Sequence, residues 1–242
     1  MHTNIDDLKP AEGMLAGLHL SIASSTRPID VVTLADVPSL VYVIDGDASV
    51  RASLELLIRA QGWKAETFSS AENFLSRPRV AAPCCLLLDI TPPGMSGLEL
   101  QRRLAVRTDM PIVFITGQGD VPTTVQAMKA GAFDFLTKPL EQDVLLPVLR
   151  HALERSRVVL RHESAMQALR TRYASLTRRE RDVMGLVISG LLNKQIGGEL
   201  GISEITVKAH RGQVMRKMKA DSLAGLVTMA ARLGVRSGAS TH

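Results

Sequence analysis

Only two of the 242 residues are cysteine, and they are neighbours, Cys84 and Cys85. Adjacent residues on a strand point to opposite faces, so no ordinary disulfide joins this pair. Both read as small, reduced core residues, which points to a cytoplasmic rather than an oxidising compartment. No apolar run approaches the roughly 18 residues that a membrane-spanning helix needs. The first residues also lack the basic-then-apolar order of a secretory signal. Disulfide-stapled secreted folds and membrane proteins are thereby set aside, and no membrane partner is expected.

A chain of this length, 45% apolar, is sufficient for two modest domains, each with its own core. The net charge of +5 is unevenly placed. Residues 171–242 hold twelve basic and five acidic side chains, while residues 40–150 are near balance. A small basic domain is the footprint of a polyanion binder, with nucleic acid the first candidate.

The most informative stretch is Cys84-Cys85-Leu86-Leu87-Leu88-Asp89-Ile90-Thr91-Pro92-Pro93-Gly94. An apolar run that ends abruptly on one carboxylate and then on turn residues reads as a fully buried parallel strand. The same rhythm recurs across residues 40–150. Strands are expected at 41–44, 63–68, up to 88, 111–115 and 132–136. Helices are expected between them: one with Val50, Leu54, Leu57 and Ile58 at helical spacing, then 70–75, 96–106 and 121–130, and one starting near Glu141. Five strand–helix alternations predict an α/β fold with a five-stranded, doubly wound parallel sheet. Right-handed crossovers bring the C-terminal tips of all strands to one edge. Asp45, Asp89, Thr116 and Lys138 all stand at such tips, so the topology alone gathers them in one crevice.

Residues 1–39 carry no sustained period and read as a disordered extension. Residues 155–172 are charged, free of Pro and Gly, and read as a helical linker that extends the helix starting near Glu141. Thr177-Arg178-Arg179-Glu180 is a capping box that opens a small four-helix domain. Its second and third helices, at 193–200 and 204–218, flank the tight turn Gly201-Ile202-Ser203. Helix, turn and helix in this order place the later helix in the DNA major groove. Val207, Val214 and Met218 share the inward stripe. Lys208 is the candidate for base edges, and Thr206, Arg211 and Lys194 are candidates for phosphate contacts. Gly197-Gly198 lies inside the first helix of the pair, where each Gly costs about 1 kcal/mol relative to Ala.

A carboxylate at the crevice can take up a phosphoryl group as an acyl phosphate. The charge on the three phosphoryl oxygens then calls for compensation, which Lys138 supplies as a point charge and Thr116 as a hydroxyl donor. Residues 40–154 resemble the receiver of two-component response regulators. The likeness lies in Val-Tyr-Val-Ile-Asp, Leu-Leu-Leu-Asp-Ile-Thr-Pro-Pro-Gly-Met-Ser-Gly, Pro-Ile-Val-Phe-Ile-Thr-Gly and Phe-Leu-Thr-Lys-Pro. Residues 173–238 resemble the LuxR-type helix-turn-helix through Leu-Thr-Arg-Arg-Glu-Arg-Asp-Val, Asn-Lys-Gln-Ile and Leu-Gly-Ile-Ser-Glu-Ile-Thr-Val-Lys-Ala-His. Together they point to the NarL/FixJ class.

The resemblance implies a flavodoxin-like receiver phosphorylated at Asp89 by a sensor histidine kinase. It implies Mg²⁺ held by Asp45, Asp89 and the Thr91 carbonyl, with Thr116 and Phe135 as the switch pair. It also implies promoter DNA and RNA polymerase as partners, and a homodimer in the active state, with the last helix in the dimer contact. One departure stands out. Gly46 occupies the position of the family's second acid, so weak Mg²⁺ binding is expected. Asp47, one residue late, is open to two readings, a water-mediated reach to the ion or a cap on the following helix. A receiver acting without phosphorylation is the alternative. An aspartate-nucleophile phosphatase is the least favoured reading, because Thr91 stands where its general acid belongs. The chain is therefore not expected to be an enzyme.

Overall fold

The computed structural model describes residues 37–117 and 121–235. The expected extension at 1–39 falls almost wholly outside these residues. Five strands form one parallel sheet: β1 (Leu40–Ile44), β2 (Lys64–Phe68), β3 (Cys84–Asp89), β4 (Ile112–Thr116) and β5 (Asp134–Thr137). Their order is β2-β1-β3-β4-β5. The order reverses between β1 and β3, and in open α/β sheets the crevice beyond that switch point is where ligands bind. β5 begins two residues later than its sequence pattern suggests. The Gly131 turn uses Ala132, whose N–H bonds to Ala127 O at 3.1 Å, before pairing begins.

Period-two alternation divides each strand between two cores. Leu40, Tyr42, Ile44, Cys84, Leu86, Leu88, Ile112 and Phe114 face one side. There they meet α2 (Ala71–Leu75), α3 (Gly97–Arg103) and α4 (Val121–Lys129) through Phe74, Leu100 and Ala127. Val41, Val43, Cys85, Leu87, Val113 and Ile115 face the other side, against α1 (Ala48–Ala60) and α5 (Gln142–Ala174). The two cysteines thus lie in different cores, and both are free. Burial raises the Cys84 thiol pKa to about 11 and drives that of Cys85 upward as well, so neither is a thiolate at neutral pH.

Helix α5 is one unbroken 33-residue helix. It runs through the expected linker at 155–172, which therefore continues the receiver's last helix. Its early turns complete the second sheet core through Leu145, Leu149 and Leu153. Its last turns join a third core through Met166, Leu169 and Tyr173. That core belongs to α6 (Arg178–Ile188), α7 (Asn193–Leu200), α8 (Glu204–Met218) and α9 (Leu223–Leu233). Among the described residues no helix is long and apolar enough to cross a membrane.

Two polar contacts hold these elements in place. Ser156 of α5 is fully buried; it accepts from the Cys84 amide at 2.9 Å and donates to the Asp109 carbonyl. The capping box of α6 is formed on both sides: Thr177 N–H donates to Glu180 Oε2 at 2.7 Å and Glu180 N–H to Thr177 Oγ1 at 3.3 Å. Glu180 Oε2 also accepts from Lys217 Nζ at 2.7 Å. The Lys217 hydrogen bond, helped by the cap amide, holds the Glu180 carboxyl below its ordinary value of 4.5.

Ser156→Ala leaves the buried Cys84 amide without its acceptor. It should cost about 1–3 kcal/mol in urea unfolding, seen as a shifted midpoint at unchanged slope. Glu180→Gln should lower the melting temperature at neutral pH. Because the folded carboxyl has the depressed pKa, its stabilisation is present above the ordinary value and is lost as pH falls through the folded one. Melting curves of variant and wild type should therefore converge on acidification.

Candidate functional site

Each strand of the run β1-β3-β4-β5 ends on, or one residue before, a polar side chain. Asp45 follows β1, Asp89 closes β3, Thr116 closes β4, and Lys138 follows β5. Neighbouring strands stand about 4.8 Å apart, so four successive tips form one short row. The backbone fixes the row further. Lys138 N–H bonds to Thr116 O at 2.7 Å, and Ile90 N–H to Ile115 O at 3.1 Å.

The side chains converge. Lys138 Nζ lies 2.7 Å from Asp45 Oδ2 and 3.6 Å from Asp89 Oδ2. Asp45 is 1% exposed, Asp89 8% and Thr116 4%. Acids so little exposed need a partner, and the ammonium serves both. Burial alone pulls the Lys138 pKa down. The Asp45 hydrogen bond and the charges of Asp89 and Asp45 outweigh it, and the ammonium is held above the ordinary lysine value. Asp45 Oδ1 accepts from Asp47 N–H at 2.9 Å, and Asp89 Oδ1 from Thr91 N–H at 3.3 Å. The Arg51 guanidinium donates to the Asp45 carbonyl at 2.8 Å and the Gly46 carbonyl at 3.1 Å, bracing the loop after β1.

Two sequence readings gain detail here. Asp47 is the N-cap of α1: its Oδ1 accepts from Ser49 N–H at 2.7 Å and from Val50 N–H at 3.4 Å. These bonds carry the cap reading of Asp47. The other concerns Gly46. A Cβ there would stand 2.9 Å from Pro93 Cδ, so the Pro93 ring fills the space that a side chain at 46 would enter. Phe135 is half-buried and packs on Phe114, with ring centroids 6.5 Å apart.

Among the described residues no group of three His, Cys, Asp or Glu is placed to hold a metal ion. The donors that the structure brings together are the Asp45 and Asp89 carboxylates, joined through Lys138. Mg²⁺ takes oxygen ligands, retains several waters and is commonly held by one or two carboxylates, so this set fits it as a lean site.

In the C-terminal domain, α7 and α8 meet across Gly201, which is left-handed at φ 65°, and Ser203, which caps α8. Gly197 is not the propensity defect it looks like in the sequence. A Cβ there would lie 2.8 Å from the Ile202 carbonyl, so the turn closes only over glycine. Val207, Val214 and Met218 are buried as their spacing predicts. Of the four candidate DNA contacts, Lys208 and Lys194 are exposed, and their side chains make no hydrogen bond or ion pair among the described residues. Arg211 reaches back to Asn193 Oδ1 at 3.2 Å, and the Thr206 hydroxyl lies 2.8 Å from Ser203 Oγ. Arg51, Pro93, Asn193 and the exposed Ile205 escape a motif reading, because their roles depend on which loop or face they meet in space.

The comparisons agree with this geometry. Residues 41–150 match the family model of the response regulator receiver domain. Residues 174–230 match that of bacterial regulatory proteins of the luxR family. Nodulation protein W of Bradyrhizobium diazoefficiens is 44% identical over 204 residues, covering 84% of this chain and 90% of that protein. Transcriptional regulatory protein FixJ of the same organism is 41% identical over 196 residues, covering 81% and 96%. The solved structure of the response regulator StyR superposes with a TM-score of 0.75 at 46% identity, over 81% of this chain and 99% of that one. The fold and site are those of a response regulator with a LuxR-type DNA-binding domain. The chain belongs to the NarL/FixJ class of such regulators, DNA-binding transcription factors for which phosphorylation-dependent switching is standard.

Proposed function

We propose that Asp89 is the phosphoryl acceptor and that its occupancy governs DNA binding by α8. One observation carries this reading: a single ammonium, Lys138 Nζ, stands within reach of both Asp45 and Asp89 at the strand tips. The donor is the phosphohistidine of a sensor kinase. The P–N bond breaks as an Asp89 carboxylate oxygen forms the new P–O bond, and the histidine nitrogen keeps the electron pair. Lys138 then pairs with a phosphoryl oxygen, and Thr116 at the next tip supplies a hydroxyl. Asp45, Asp89 and the Thr91 carbonyl would hold Mg²⁺, which when bound would supply charge that offsets that of the transferred group. With Gly46 in place of an acid, two carboxylates serve where the family uses three, and the ion is weakly held.

Phosphorylation shifts a pre-existing equilibrium toward the state that binds DNA, with Thr116 and Phe135 as the switch pair. The active state is a homodimer on promoter duplex in the cytoplasm, with RNA polymerase downstream. Leu223 and Val227, one turn apart and exposed on α9, support an apolar contact between copies. Lys208 addresses base edges, while Lys194, Thr206 and Arg211 address phosphates. The lean metal site favours one second reading, a regulator that works without phosphorylation.

Acyl phosphate with Mg²⁺ should add the mass of one phosphate to the wild type and none to Asp89→Asn. Gel shift should show tighter promoter binding only for the modified protein. Unmodified wild type that binds equally well supports the second reading. Gly46→Asp combined with Pro93→Ala, which makes room for the new side chain, should tighten Mg²⁺ binding by about tenfold in calorimetric titration. Equal affinity in the two proteins counts against the lean-site account.

A further inference from the structure

Helix α8 presents a stripe to solvent opposite its buried Val207, Val214 and Met218. Spacings of four, seven and eleven residues place Ile205, Ala209, Gly212 and Arg216 on it, and all four are exposed. The middle of the stripe has almost no side chain. Ala209 offers one methyl and Gly212 none, so the helix backbone there can approach a groove floor closely. At the C-terminal end, Arg216 is bonded to Gln213 within its own turn. At the N-terminal end stands Ile205, at 83% the most exposed large apolar side chain among the described residues of the domain.

An isoleucine left this open at the second residue of a helix gains nothing for the fold. Acidic or polar residues suit that first turn better. Its position is nevertheless held firmly. Ser203 caps the turn through Thr206 N–H at 3.2 Å and the two hydroxyls lie 2.8 Å apart. The β-branched side chain adds a stiff χ1. Lys208, exposed on the next turn, flanks it with positive charge. N-terminal residues of a recognition helix are the ones that reach base edges, and the apolar feature of the major groove is the 5-methyl group of thymine.

We propose that Ile205 reads that methyl and so specifies one thymine in each half-site. The proposal rests on α8 being the recognition helix. The basic flank of Lys208 matches a DNA groove better than an apolar protein surface.

The test uses the full chain as wild type, Ile205→Ala, Ile205→Val and Lys208→Ala. Each selects duplexes from a pool with a randomised centre, and circular dichroism verifies helix content. The wild-type duplex is then rebuilt with each thymine in turn replaced by deoxyuridine, which lacks only the methyl. One such replacement per half-site should weaken wild-type binding about fourfold, the factor that one buried methyl contributes. Ile205→Ala should be insensitive at that base and select without preference there, while Ile205→Val keeps the preference. An identical uridine profile in wild type and Ile205→Ala overturns the proposal. So does an altered association state of Ile205→Ala in sedimentation with unchanged base selection, which marks a protein contact. If Lys208→Ala binds as wild type and no duplex is enriched by any of the proteins, the recognition-helix reading itself fails.

Discussion

Two carboxylates buried at neighbouring strand tips repel one another, and the receiver depends on the cation between them. Unit charges about 4 Å apart interact by about 4 kcal/mol at an effective dielectric near 20, enough to decide how such a site folds. Lys138 meets this constraint because β5 lies beside β4, and β4 beside β3, so that its loop returns to the same edge as Asp45 and Asp89. The sheet order, the switch point between β1 and β3, and the braced loop after β1 all serve to bring one ammonium to two acids.

The same electrostatic logic acts differently in the C-terminal domain. Lys217 is neutralised by Glu180 and further bound by the Ser175 carbonyl at 3.3 Å, so it ties α8 to α6. Arg211 is turned back toward Asn193. The domain's positive charge is thus partly structural, while exposed Lys194 and Lys208, with Arg178, Arg179, Lys219 and Arg232, carry the outward share.

Much of this was legible in the order of residues. A buried strand that ends on Asp89, and the same rhythm ending on Asp45, Thr116 and Lys138, required only period-two and period-3.6 patterns plus the handedness of crossovers. The helix cap at Thr177 was equally readable, since a cap is a local event. What escaped was contact across space. Gly46 looked like a missing acid, and only the fold shows Pro93 occupying the side chain's place. Gly197 looked like a weak helix position until the Ile202 carbonyl appeared beneath it. Asp47 was ambiguous because a cap and a metal ligand use the same atom and differ only in where that atom points. The strand β5 was placed two residues early because alternation does not reveal how many residues a glycine turn consumes.

Helix α5 gives one consequence that neither domain has alone. Its last residue in the sheet core is Leu153 and its first in the C-terminal core is Met166, with residues 161–165 exposed between them. Each residue of an α-helix advances about 1.5 Å and turns about 100°. Adding or removing a single residue in that exposed stretch therefore swings everything downstream by more than a quarter of a revolution. A seven-residue change leaves the bearing nearly unaltered. The connection behaves as a shaft whose phase is set by its length more than by its chemistry.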